Sequence, residues 1–392
     1  PEAADCGSTR SLTGRDETAH DPAQSVAVCG TDSVNSDEQT QRPITVRRLR
    51  AADARSLSEC FRRCYGETYP ADIFYDTGKL HGAIASGQLR SVVAVTAGNR
   101  VVGHTGLTIR HPQARAIEAG NTIVDPDYRG HGLLGRLGAA LTDLCSSAGY
   151  IGYLHYPTTA HDIMQKRSVS GGGVETGIML GYIPAETDYR AVDRQQGRLA
   201  ATVVYQPMPG AAAPLREGEK DGSTPAPTSE LSPTPPSSLR VCHAPARYRT
   251  LLETLFAATA LSRNFLPGDA VWKPVSDIRH QFYPRRGLLQ LYLQSSGADL
   301  VDRVLSLCGQ TQPAIVHADL PLDDPGIDAT VDALIGLGFR FCALLPEFAH
   351  TDLLRMQWLT GTDPRLHAPS LANPDARALL EVINADHQGA CD

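Results

Sequence analysis

Residues 122–134 read Thr-Ile-Val-Asp-Pro-Asp-Tyr-Arg-Gly-His-Gly-Leu-Leu, and this stretch restricts the local fold more than any other. Thr122 to Val124 is the apolar end of a strand, stopped by Pro126. The turn Arg129-Gly130-His131-Gly132 follows. Leu133, Leu134, Leu137, Leu141, Leu144 and Ala148 then recur at helical spacing. A helix N-terminus leaves N–H groups unpaired and carries partial positive charge. Glycines beside it let the backbone approach a ligand closely. Strand, glycine turn and helix together make a cradle for an anion, most naturally a pyrophosphate. The alternative is a plain strand–turn–helix with glycines for packing.

Two rival phosphate motifs fail. The chain has no G-x-x-x-x-G-K-[ST] loop. Gly130, Gly132 and Gly135 formally make G-x-G-x-x-G, but the next strand, Tyr150 to His155, ends without the acid a dinucleotide site needs. The preceding segments also predict an antiparallel series rather than a βαβ unit. Ile44, Val46 and Leu49 mark a strand, and Leu57, Cys60, Phe61 and Cys64 one face of a helix from Asp53 to about Cys64. A helical region near Tyr69–Ile84 is expected next. Ser91–Val95 and Val101–Leu107 flank the hairpin turn Ala97–Arg100, and a third strand runs near Ala116–Val124.

Val124-Asp125-Pro126-Asp127-Tyr128-Arg129-Gly130-His131-Gly132-Leu133-Leu134 resembles the V-x-P-x-Y-R-G-x-G loop of the GNAT superfamily of acyl-CoA-dependent N-acyltransferases. Ile44 to Asp53 is similar to that family's first strand and helix. The resemblance covers about residues 43–185, and the block His161 to Pro184 is similar to a bacterial subgroup of the family. It implies an α+β fold, a mixed and mostly antiparallel sheet flanked by helices, with acetyl-CoA or another acyl-CoA as co-substrate. It also implies roles. Main-chain N–H groups of Thr122, Ile123 and Val124 would hold the thioester carbonyl and the pantetheine arm. Arg129, Gly130, His131, Gly132, Leu133 and Leu134 would hold the pyrophosphate. Glu118, six residues before Val124, stands where the family often has a glutamate. It is the candidate general base, or else a surface strand carboxylate, or one that contacts the amine without taking its proton. His161 stands where the family often has a pantetheine-binding Asn. It could bond the cofactor, donate a proton, or do neither. Ser168 replaces the tyrosine that often protonates the leaving thiolate, so the pattern breaks there. Tyr65, Tyr69, Phe74 and Tyr75 are candidate linings of the acceptor pocket, or simply core.

The rest of the chain bounds the answer. At 392 residues, two or three domains are expected. A net charge of −7 argues against nucleic acid as a main partner. No apolar run approaches a membrane span, and residues 1–42 show no basic-then-apolar leader. The nine cysteines are scattered without C-x-x-C, so neither a metal site nor a disulfide framework is expected, and a reducing cytoplasm is the default. Residues 1–42 are expected as a disordered tail, 43–205 as the catalytic domain, and 206–239, rich in Pro, Ser, Thr and Ala, as a linker.

Residues 240–392 repeat strand and helix signals and close with helix, Leu337-Gly338-Phe339 and strand. This resembles the end of a GNAT domain without its V-x-P or R-G-x-G loop, so a degenerate second GNAT-like α/β domain is expected. Asp319, Asp323 and Asp324 are read as a strand-end turn rather than a metal cluster. The function implied is acyl transfer to a primary amine of a small molecule or peptide. A non-catalytic acyl-CoA sensor or scaffold, or an acyl-CoA decarboxylase on the same cradle, are the alternatives.

Overall fold

The computed structural model describes residues 43–188, 197–208, 240–361 and 366–387. The expected tail at 1–42, and residues 209–239 of the expected linker, lie outside the described residues. The N-terminal half contains β1 (Thr45–Arg48), α1 (Ala54–Tyr65), α2 (Thr77–Ala85), β2 (Leu89–Val95), β3 (Val101–Thr108) and β4 (Ala116–Val124). It continues with α3 (Leu133–Ser147), β5 (Gly152–His155), α4 (Ile163–Ser170), β6 (Val174–Ile183) and β7 (Leu199–Pro207). The C-terminal half begins with β8 (Arg240–His243), α5 (Arg249–Ala258), β9 (Arg263–Leu266), β10 (Asp277–Tyr283), β11 (Leu288–Ser295) and α6 (Leu300–Thr311). It ends with β12 (Ile315–Pro321), α7 (Ile327–Leu337), β13 (Arg340–Leu345), β14 (Leu353–Leu359) and α8 (Pro374–His387). Strands β9, β10 and β14 and helix α8 have no counterpart among the elements assigned from sequence.

Period-two alternation sets the layers of the N-terminal half. Val92 and Ala94 of β2 pack with Val102 under Leu133, Leu137 and Leu141 of α3. Val93 and Val95 point to the opposite face and meet Leu57 and Phe61 of α1 and Leu80 of α2. A strand whose residues are buried on both faces must be covered by helices on both faces, and this one is.

A single sheet of 12 strands runs through both halves in the order β1-β2-β3-β4-β5-β7-β6-β13-β14-β12-β11-β10. β4 and β5 pair parallel, while β5–β7 and β6–β7 pair antiparallel. β11 and β12 likewise pair parallel, while β12–β14 and β13–β14 pair antiparallel. The halves meet where β6 and β13 run antiparallel through Gly177 and Ala343. A Cβ on Gly177 would lie 2.2 Å from that of Ala343, so only glycine lets the strands approach. The buried Gln357 ties the seam: its side-chain carbonyl accepts from Leu180 N (2.9 Å), and its amide donates to Ile178 O (3.2 Å). Asp319, Asp323 and Asp324 do not form one site. Asp319 pairs with Arg355, Asp323 with His350, and Asp324 accepts from Gly326 N.

Candidate active site

β4 and β5 are paired only from Ala116↔Gly152 to Glu118↔Leu154. Beyond Glu118, β4 continues to Val124 along β3 while β5 ends at His155. The two parallel strands therefore splay, and the edge of β4 facing the gap loses its sheet partners. A polar main chain left open in this way is a ready binding surface. The opening leads into a cavity of about 900 Å³.

A bulge aims β4 at this gap. The β3–β4 register shifts between His104 and Gly106, opposite Ile123 and Gly120. Asn121 sits there in the left-handed region at φ 56°, which Asn tolerates better than other non-glycine residues. Its side-chain oxygen accepts from the Tyr69 hydroxyl (2.8 Å), and its carbonyl bonds His104 Nδ1 (2.7 Å). The Thr105 and Thr122 hydroxyls bond each other at 2.8 Å. Burial drives the His104 pKa down to about 4, so its imidazole is neutral and its Nδ1–H donates to Asn121. The isolated Gly120-Asn121 pair within an apolar strand was the one sequence signal for this bulge.

The exit from β4 is clamped by Asp125, which is buried and receives Arg63 Nε (2.6 Å) and Arg100 Nη2 (3.1 Å). The glycine turn then lies exposed at the start of α3. Gly130 (φ 81°) and Gly132 (φ 69°) are left-handed, and a Cβ on either would meet nothing within 4 Å. The turn is thus held in a conformation that favours glycine, with open space above it. His131 bonds the Arg129 carbonyl (2.9 Å), and Arg129 Nε reaches Val124 O (3.4 Å).

The expected site residues divide by position. Glu118, Thr122, Leu134 and His161 line the cavity. Ile123 and Leu133 bury their side chains in the two helix-facing cores, so only their main chain can meet a ligand. Of the aromatic patch, Tyr65 and Tyr69 line the cavity. Phe74 is core, stacked on Phe61 at 3.9 Å, and the Tyr75 hydroxyl accepts from Tyr69 N (3.0 Å).

Glu118 is not a lone carboxylate. Arg110 Nε and Nη2 donate to its two oxygens at 2.6 and 3.0 Å. Burial pushes the Glu118 carboxyl up, but Arg110, with Arg355 and Arg286 adding to it, makes the net shift downward. The group is ionised at neutral pH and available as a proton acceptor, at the cost of some basicity. His161 lies at the other end of the cavity, close enough to feel the charge of Arg129. Burial lowers its pKa, Asp162 opposes this, and Arg129 adds to the lowering. A neutral imidazole is a hydrogen-bonding group rather than a ready acid. Ser168 lines the cavity, but its hydroxyl donates to Met164 O within its own helix (2.6 Å), so that proton is already engaged.

The C-terminal half reaches the site twice. Gln165 of α4 is buried, donates to Ser370 O (3.0 Å) and accepts from Ala372 N (3.0 Å), which pins the helix that carries Ser168. Arg286 projects into the cavity from the turn before β11. Sequence reasoning missed Arg110, Asn121, Arg167 and Arg286.

The site is thus a splayed parallel strand pair facing an open, glycine-rich helix N-terminus, with an ionised carboxylate along the gap. This is the architecture of an anion-cradling α+β domain. Residues 54–165 match the family described as acetyltransferase (GNAT) family, which places that segment in the GNAT superfamily. Several solved structures are similar to part of the chain. The phosphinothricin acetyltransferase of Sinorhizobium meliloti in complex with AcCoA is 20% identical, covering 45% of this chain and 94% of its own, with a TM-score of 0.35. The ribosomal-protein-S18-alanine N-acetyltransferase of Escherichia coli is 18% identical, covering 42% and 94%, at 0.34. The spermidine N-acetyltransferase of Vibrio cholerae in complex with CoA and spermine is 18% identical, covering 43% and 98%, at 0.34. No curated protein matches the chain. Among the described residues, no helix is long and apolar enough to cross a membrane.

Proposed function

We propose that the N-terminal domain is an N-acyltransferase that moves an acetyl or other short acyl group from coenzyme A to a primary amine of a small molecule or peptide. One observation carries this reading: a single cavity is lined by β4 beyond its pairing with β5, including Glu118 and Thr122, and by Leu134 and Gly135 in the first turn of α3, directly after the open turn. In this reading the turn Arg129–Leu134 takes the pyrophosphate at the helix N-terminus. Main-chain N–H groups from Thr122 to Val124 hold the pantetheine arm and polarise the thioester carbonyl. His161 bonds the cofactor as a neutral imidazole. Glu118, directly or through water, takes the proton of the ammonium. The amine nitrogen then attacks the thioester carbon, a C–N bond forms, the C–S bond breaks, and the thiolate leaves and takes up the second proton that the nitrogen sheds. Thiolate is a good leaving group, so a dedicated acid at position 168 is not essential.

The C-terminal half is read as a second GNAT-like copy that has lost its cofactor site. Its support is the order and direction of β10-β11-β12-β14-β13, which repeat β3-β4-β5-β7-β6. The six described cysteines are free thiols, which supports a reducing compartment and a cytoplasmic setting. A second reading, a non-catalytic acyl-CoA sensor, draws on the Ser168 hydroxyl being engaged within its own helix. Free-thiol release from acetyl-CoA against a panel of primary amines separates the two. Amine-dependent release is expected; tight acetyl-CoA binding with no release for any amine favours the sensor.

A further inference from the structure

The cavity is not built by the N-terminal half alone. The turn Pro284–Arg286 joins β10 to β11 and carries Arg286 into it. Three contacts hold that residue in place. Gly287 closes the turn in the left-handed region (φ 57°) and bonds Pro284 O (3.0 Å). Arg198 Nη2 donates to the Arg286 carbonyl at 2.5 Å, while its Nε donates to Gly181 O at 2.7 Å. The Arg286 guanidinium lies over the Tyr182 ring, 4.5 Å from its centroid. A guanidinium stacked on a ring is pre-ordered, and its N–H edges remain free to bind in the plane.

Among the described residues, no carboxylate forms an ion pair with Arg286. Glu118, the one acid among the described lining residues, is engaged by both arms of Arg110. Asp319 is engaged by Arg355 in the same way, at 2.6 and 2.8 Å. With both of these carboxylates engaged, Arg286 has no counter-charge among the described lining residues. A second donor lies beside it. The Tyr156 hydroxyl is buried with no hydrogen-bond partner among the described residues, and its ring meets Tyr182 edge-on at 6.1 Å. Buried donors without partners are costly unless a ligand supplies an acceptor.

This charge belongs to the acceptor end. Arg286 is close enough to Glu118 to help lower its pKa. Arg129, which precedes the glycine turn, acts instead on His161 and is not among the charges that lower Glu118. The CoA phosphates are therefore provided for elsewhere.

We infer that the acceptor amine carries a carboxylate, held by the Arg286 guanidinium with the Tyr156 hydroxyl as a second donor. The inference rests on the acyltransferase reading of the same cavity. It gives the C-terminal half a role: it supplies the residue that selects the acceptor. A single planar anion matches a single guanidinium fork and leaves the site neutral.

The test is equilibrium binding by calorimetry on the full chain, with and without saturating CoA. The probes are the standard L-amino acids, their carboxamides, and phosphoethanolamine. At least one amino acid should bind about tenfold or more tighter than its amide, as expected for a charge-assisted bond. Arg286→Gln should abolish that preference and weaken the same amino acid by about ten- to a hundredfold, with CoA affinity unchanged. Arg286→Lys should recover part of it. The inference is overturned if no amino acid outbinds its amide, if the preference survives Arg286→Gln, or if phosphoethanolamine alone binds. Failure of wild-type protein to bind CoA would sink the cofactor reading separately, because the amide comparison is also made without CoA.

Discussion

The two halves run the same strand pattern and differ most at one turn, the entry to the helix that follows the central parallel strand. In the N-terminal half the turn before α3 is bare. Gly130 and Gly132 face open space, and the neighbouring β4 and β5 part after three pairs. In the C-terminal half the turn before α6 is filled by its own chain. A Cβ on Gly297 would lie 2.5 Å from Val275 C. Gly297 N donates to the Ser276 hydroxyl (2.9 Å) and Ala298 N to Lys273 O (3.0 Å). The Asp299 carboxylate sits there too, accepting from Ser276 N (2.7 Å). The strands also stay together, paired from Leu288↔Ile315 to Tyr292↔Asp319, with Arg355 and Asp319 buried at the end where β4 and β5 would splay. A helix N-terminus attracts anions only while its donors are unspent. The turn is open in the N-terminal half and closed by its own chain in the C-terminal half.

Substitutions can break this comparison in graded steps. The largest effect is expected from Gly132→Glu, which puts a negative charge at the open turn. Acetyl-CoA binding should disappear, while the left-handed backbone costs only about 1–2 kcal/mol of stability; calorimetry and thermal unfolding read the two separately. Arg355→Leu leaves Asp319 buried without its partner. Chemical denaturation should show a loss of about 3–5 kcal/mol, and a loss under 1 kcal/mol would mean that the buried pair does not hold that end of β11 and β12.

Glu118→Gln should lower kcat by about a hundredfold through loss of the proton acceptor. The sign with pH follows from the shift. Arg110 holds the Glu118 carboxyl below its ordinary value, so the carboxylate persists across the neutral range. The deficit should therefore be deepest toward pH 6, where the amine arrives protonated, and shrink as pH rises. Parallel pH profiles for the two proteins would remove Glu118 as the base. The smallest effect is expected at the closed turn: Gly297→Ala overpacks it and should cost about 1–3 kcal/mol of stability with acetyl-CoA affinity unchanged.

What the sequence revealed was local. The bounds of β4 and the start of α3 follow from an apolar run, a proline and two glycines within eleven residues, 122–132. What it hid was brought together by tertiary structure. Glu118 reads as an isolated strand carboxylate, and only the β3–β4 pairing sets Arg110 against it. Arg286 lies 168 positions from Glu118 and enters the cavity because β11 follows its turn. β10 was hidden because it is a sheet edge with several exposed polar residues. β14 was hidden for the opposite reason: it is buried, yet carries Arg355 and Gln357, whose partners Asp319 and Ile178 lie far away in sequence.

The central claim is that one open turn, in the N-terminal half only, holds the cofactor. Titrating the full chain with acetyl-CoA in a calorimeter tests it directly. The account predicts one site per chain, lost in Gly132→Glu and retained in Gly297→Ala. Two sites per chain, or one that survives Gly132→Glu, would contradict it.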